Sequence, residues 1–140
     1  MSRYVVDASV VVKWFLPEVH SEAAQCYRAP EHEILAPDLI LPETGNAIWK
    51  RVRQGQLPRD EAMAIVRLLQ TGSIQVRPSA PYLDRASTIA MDHDRSVYDS
   101  LYVALAEQED CPLVTADRKL FNAMQPTPFA RRVRWVETAP

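Results

Sequence analysis

The sequence predicts an α/β fold in which helices cover both faces of a mostly parallel sheet. Short β-branched and aromatic runs alternate with longer stretches of helical periodicity along the whole chain, the pattern of strands joined by helical crossovers. The length points the same way: 140 residues with 47% hydrophobic content suffice for one core and are too few for two, so residues 1–140 are expected to form a single domain.

Residues 3–7 form the first expected strand, a buried run that ends at a turn made by Asp7, Ala8 and Ser9. A short helix over 10–15 stops at Pro17, and a second is expected over 21–27. Residues 33–36, between His32 and Pro37, read as the next strand. Leu39, Ala47, Ile48 and Val52 share one helical face while Lys50, Arg51 and Arg53 point elsewhere, giving an amphipathic helix over 39–54 closed by Gly55. Pro58, followed by Asp60 and Glu61, opens another through Leu69 that ends at Gly72. These two helices have the character of an inserted hairpin. The remaining expectations are a strand at 74–77, helices at 81–91 and 96–108, a strand at 112–115, a helix at 117–124 and a last strand at 133–136, with Asp92 and Asp94 in a loop.

Composition excludes several functions. A net charge of -2, from 16 basic and 18 acidic residues, is unlike that of strongly basic nucleic-acid-binding domains, so attraction for RNA or DNA would have to be local. Cys26 and Cys111 have no metal-ligand spacing and read as buried, reduced thiols. His20, His32 and His93 lack ligand spacing as well. Only three glycines are present, so neither common glycine-rich phosphate loop exists. The N-terminal residues lack a secretion signal, and no segment approaches the ~20 apolar residues of a membrane helix, which predicts a soluble, cytoplasmic protein.

Four acids stand where a strand or turn hands over to a helix: Asp7, Glu43, Asp99 and Asp117. Each has a local structural use. Asp7 can close an Asx-turn, Glu43 suits a positive first turn, Ser96 with Asp99 matches a capping box, and Asp117 can cap. Together they ask for more, because an alternating topology brings these helix starts to one sheet edge. Two such charges ~4 Å apart repel by roughly 4 kcal/mol at an effective dielectric of 20, more than helix dipoles of ~0.5 to 1 kcal/mol offset. All-oxygen ligation points to Mg²⁺ or Mn²⁺, and the natural chemistry is metal-assisted phosphodiester hydrolysis.

The runs Val5-Val6-Asp7-Ala8-Ser9-Val10, Leu41-Pro42-Glu43-Thr44-Gly45-Asn46-Ala47, Val97-Tyr98-Asp99-Ser100-Leu101-Tyr102-Val103-Ala104-Leu105-Ala106 and Leu113-Val114-Thr115-Ala116-Asp117 resemble the PIN-domain family, and more narrowly its VapC-type toxins. The resemblance spans essentially the whole chain. It implies a three-layer α/β/α fold, a Mg²⁺- or Mn²⁺-dependent endoribonuclease acting on RNA such as tRNA or rRNA, a homodimer, and inhibition by a VapB-type antitoxin. Carried onto this chain, it makes Asp7 and Asp99 the main metal ligands, with Glu43 and Asp117 completing the acidic ring. Ser9 and Thr115 would orient water, carboxylates or the substrate phosphate. Some relatives carry a further acid where Lys119 stands here, so one tightly bound ion is expected, with a second arriving alongside RNA.

Other residues are weaker candidates. Lys13, Lys50, Arg51, Arg53, Arg118 and Lys119 lie near the expected site edge, while Arg131, Arg132 and Arg134 form a basic run elsewhere. Trp14, Trp49 and Trp135 could stack on unpaired bases, with core or interface packing the more ordinary use. Two other functions compete. An aspartyl-phosphate enzyme would use Asp7 as nucleophile, but Ser9 occupies the position of the second Asp in haloacid-dehalogenase-type phosphatases. A catalytically silent PIN-like module would bind RNA or protein without turnover.

Overall fold

A computed structural model describes residues 2–140, arranged as a five-stranded, entirely parallel sheet flanked by seven α-helices. In chain order the elements are β1 (Ser2–Val6), α1 (Ala8–Phe15), α2 (Ser21–Cys26), β2 (His32–Pro37), α3 (Ile40–Arg53), α4 (Arg59–Leu69), β3 (Gln75–Arg77), α5 (Leu83–His93), α6 (Val97–Gln108), β4 (Leu113–Thr115), α7 (Arg118–Met124) and β5 (Val133–Trp135).

The spatial strand order is β3-β2-β1-β4-β5. Tyr4 pairs with Ile34, Val6 with Val114, Ala36 with Val76 and Thr115 with Trp135. From β1 the chain builds outward through β2 to β3, then returns to the other side of β1 for β4 and β5. The reversal leaves a crevice at the carboxyl ends of β1 and β4, where open α/β sheets place their ligands.

Central strands are apolar on both faces because both faces are covered: Val5, Val6, Leu35, Ala36, Leu113 and Val114 are fully buried. The edge strands carry polar residues instead, with Gln75 exposed on β3 and Arg134 half-buried on β5, which discourages pairing with another sheet. Helix α6 is buried along Ser100–Ala106 and packs on β1, β2 and β4. It runs against the strands, so its first turn lies at the same sheet edge as the carboxyl end of β1. Helices α3 and α4 pack as the expected hairpin.

Every expected element is present, with shifted ends. Asp7 lies outside β1 because its side chain accepts the Val10 amide and caps α1, which therefore begins at Ala8 rather than Val10. Pro58 caps α4 instead of sitting in its first turn, and Ser96 and Asp117 likewise precede α6 and α7. The expected helix at 81–91 divides into a single 3-10 turn (Ala80–Tyr82) and α5, which runs on to His93. Asp92 is thus helical, and Asp94 ends the helix in a left-handed conformation with φ of 52°. Cys111 is buried as expected, but Cys26 is exposed because it closes α2 on its solvent side. Trp14 is core and Trp135 is half-buried, whereas Trp49 is 51% exposed.

Candidate active site

Asp7 is the buried centre of the crevice. It follows the last residue of β1 and is only 7% exposed. Its Oδ1 accepts hydrogen bonds from Ser9 Oγ at 2.5 Å and from the Val10 amide at 3.3 Å, while Oδ2 accepts from Thr115 Oγ1 at 2.5 Å. The Ser9 and Thr115 hydroxyls lie 3.4 Å apart. Ser9 Oγ also accepts the Ala116 amide at 2.9 Å, and Thr115 Oγ1 accepts the Asp117 amide at 3.0 Å. The ends of β1 and β4 are therefore stitched together by two hydroxyls that both donate to one carboxylate.

The remaining acids arrive from three other elements. Asp117 caps α7 by accepting the Lys119 and Leu120 amides at 3.0 and 3.4 Å. Glu43, in the first turn of α3, accepts a 2.5 Å hydrogen bond from the Tyr102 hydroxyl. Asp99, in the first turn of α6, pairs with Arg95 at 2.9 Å. Its amide donates to Ser96 Oγ at 3.0 Å, so the expected capping box is half made: the Asp99 carboxylate goes to Arg95 rather than back to the cap.

The electrostatics tie these acids to one another. Burial pushes the Asp7 carboxyl up to about 6 against the pull of its Ser9, Thr115 and Val10 hydrogen bonds, with the charge of Asp117 adding to the rise. Burial also raises Glu43, opposed by the Tyr102 hydrogen bond and reinforced by Asp99. Tyr102 is pushed far above its ordinary range by burial and then by the charges of Glu43, Asp7 and Asp99. It stays protonated and donates. The Tyr102 hydroxyl is bonded to Glu43 and lies within the field of Asp7 and Asp99, and the acid capping α7 acts on Asp7.

These acids form two interacting pairs around a hydroxyl-rich centre rather than a finished cage. Among the described residues, no three carboxylate, imidazole or thiol groups are close enough to ligate one ion directly. Thr44 Oγ1 and Ser100 Oγ, the neighbours of Glu43 and Asp99 in sequence, are buried without a hydrogen-bond partner, as is Arg95 Nε. A set of carboxylates and hydroxyls without imidazole or thiol is the kind a hard divalent cation takes while retaining water molecules.

Tyr102 and Arg95 are site residues that the sequence reading did not single out. The signal for Tyr102 was its spacing, since residues i and i+3 on a helix share a face and Asp99 precedes it by three. Two of the basic residues expected near the site edge are already engaged: Lys13 and Arg51 both pair with Glu18.

Residues 4–125 match the PIN domain family. Among characterised proteins, the chain is 37% identical over 120 residues to the ribonuclease VapC3 of Pyrobaculum aerophilum, covering 84% of this chain and 92% of that one. The solved structure of PAE2754 from the same organism superposes with a TM-score of 0.71 at 29% identity, over 98% of this chain and 85% of that one. A toxin–antitoxin complex from Klebsiella pneumoniae superposes with a TM-score of 0.60 at 14% identity, over 94% and 95% of the two chains, a likeness of fold alone.

Proposed function

The chain belongs to the PIN-domain family, and on that premise we propose that it is a Mg²⁺- or Mn²⁺-dependent endoribonuclease, the toxin of a VapBC-like toxin–antitoxin pair. The observation that carries the reading is Asp7, a carboxylate buried at the switch point of a parallel sheet and held by two hydroxyls while three more acids converge on its surroundings. A buried carboxylate that has no cationic partner among the described residues destabilises the fold, so its presence supports a cation-holding role.

In this reading Asp7 and Asp99 are the main metal ligands, and Glu43 and Asp117 complete the set directly or through water. When bound, the ion acidifies an attacking water and neutralises charge on the leaving oxygen. The protein supplies the rest. Ser9 and Thr115 fix the rotamer of Asp7, Tyr102 holds Glu43, and Arg95 aims Asp99. Water adds at phosphorus, the bond to one bridging oxygen breaks, and the proton that water loses ends on that departing oxygen, so the products are a phosphate monoester and a free hydroxyl.

The hydroxyl at Ser9, which donates to Asp7, is a poor substitute for the acid that an aspartyl-phosphate mechanism needs there. A silent binding module is disfavoured because all four acids are intact.

The reading extends to a single nuclease domain over residues 1–140, a cytoplasmic location, a homodimer and a VapB-type antitoxin. A protein partner is supported by an apolar groove of about 410 Å³ between α3 and α4, where Trp49 and Met63 are 51% and 41% exposed. Among the described residues no helix is long and apolar enough to cross a membrane.

The test is cleavage of total cellular RNA by purified protein. Activity with Mg²⁺ or Mn²⁺ that disappears on chelation and in Asp7→Asn and Asp99→Asn proteins is expected. Undiminished cleavage by either variant refutes the assigned chemistry.

A further inference from the structure

Trp135 ends β5 in register with Thr115, the β4 residue whose hydroxyl holds Asp7. Paired residues of parallel strands face the same side of the sheet about 5 Å apart, so the indole stands one strand away from the catalytic centre. Arg118, the residue after the α7 cap Asp117, lies over that indole with its guanidinium carbon 3.6 Å from the ring centroid. Phe121 and His20 meet the same indole at steep angles, with centroids 5.8 and 5.4 Å away.

The indole is braced on its polar edge, and Arg118 also lies over the Phe121 ring, its guanidinium carbon 5.6 Å from that centroid. Trp135 Nε1 donates to Glu137 Oε1 at 3.2 Å, and His20 Nδ1 stands 3.0 Å from the same oxygen, so the plane of the indole is fixed. Arg118 is exposed and has no ion pair among the described residues. Lys13 and Arg51 are by contrast tied to Glu18. A planar guanidinium seated on an aromatic face, with its outer face toward solvent, offers a second surface on which an unpaired base can stack.

We propose that the Trp135–Arg118 stack is a nucleobase platform, holding one unpaired base of the RNA beside the phosphodiester that is cut. This rests on the ribonuclease reading and deepens it. The platform reads the planar face of a base rather than its hydrogen-bonding edge, so it favours single-stranded over paired RNA and tolerates any base. The charge of Arg118 contributes to backbone attraction, but its flatness is what the base uses.

The test compares binding of short oligouridylate with binding of an abasic ribose–phosphate chain of equal length. It uses cleavage-deficient Asp7→Asn protein in which Arg118 is either retained or changed to Lys. With Arg118 the base-bearing chain binds more tightly by about fivefold or more, the size of one stacked base. Arg118→Lys keeps the charge and removes the plane, so that preference falls toward unity while affinity for the abasic chain and its salt dependence stay as they were. A purely structural Arg118 would lower the melting temperature and leave the preference intact, and that result overturns the platform. An unchanged preference in both Arg118→Lys and Trp135→Leu proteins also overturns it while leaving the ribonuclease reading in place. Failure of both chains to bind overturns the platform, while the ribonuclease reading stands or falls on the metal-dependent cleavage test.

Discussion

Asp7 carries a folding cost for which the proposed metal-binding role accounts. Its folded pKa of about 6 lies above the unfolded value of 3.8, so the native state holds this proton more tightly than the unfolded chain does. The stability it contributes is complete below about pH 4 and is lost as the pH rises through about 6, a difference of about 3 kcal/mol. Asp7→Asn removes the buried charge and nearly keeps the shape. With chelator present, urea unfolding should show the variant more stable than the parent by about 1–3 kcal/mol near neutral pH, with little difference near pH 4, while RNA cleavage is lost. Thr115→Val removes one of the hydroxyls that hold Asp7, and groups that orient a ligating carboxylate typically matter 10- to 100-fold in metal affinity or activity. A loss of about that size is expected in cleavage assays. Because the Thr115 bond lowers the Asp7 pKa, the acidic limb of the pH–rate profile should also move upward. The acids themselves were legible in the sequence, each at a strand or turn leading into a helix. The partners that hold Glu43 and Asp99 were not singled out: Tyr102 meets Glu43 only once α3 and α6 are placed, and the four-residue spacing of Arg95 from Asp99 is common to many surface ion pairs.

Helix α6 does more for the site than any other element. Its first turn presents Asp99, Tyr102 lies on the same face three residues later, and the residue before the cap supplies Arg95. Its body is apolar on all sides because it lies under α5 and on three strands. Tyr102→Phe would leave the half-buried Glu43 carboxylate without its donor. The expected outcome is a stability loss of about 1–3 kcal/mol, measured by denaturant unfolding. Since the Tyr102 hydrogen bond holds Glu43 down, its removal should also shift the acidic limb of activity to higher pH. Ser96→Ala removes the cap that accepts the Asp99 amide and should destabilise the protein by ~1 kcal/mol. The periodicity of α6 was readable, as was its start. The division of residues 81–91 into a 3-10 turn and α5 was not, because Pro81 is compatible with either a 3-10 turn or a first α-helical turn.

At the scale of the molecule, the strand order β3-β2-β1-β4-β5 decides the function, since it sets the ends of β1 and β4 side by side. Alternating strands and helices announced a parallel sheet, and the gathering of helix starts at its carboxyl edge followed from that. The order of the strands was not readable, because nothing in five short apolar runs says which neighbour each will choose. Nor did the acids announce that they would form two pairs, Asp7 with Asp117 and Glu43 with Asp99, rather than a closed ring, a detail set by side-chain direction on four different elements. The central proposal is that these pairs act together as one hard-ion site. Its most direct test is Mn²⁺ binding near neutral pH, followed by water-proton relaxation in the parent protein and in the Asp7→Asn, Asp99→Asn and doubly substituted proteins. The parent is expected to bind, each single substitution to weaken binding at least tenfold, on the order of 1.4 kcal/mol, and the double substitution to abolish it. Mn²⁺ binding of equal strength in all four proteins would contradict the proposal.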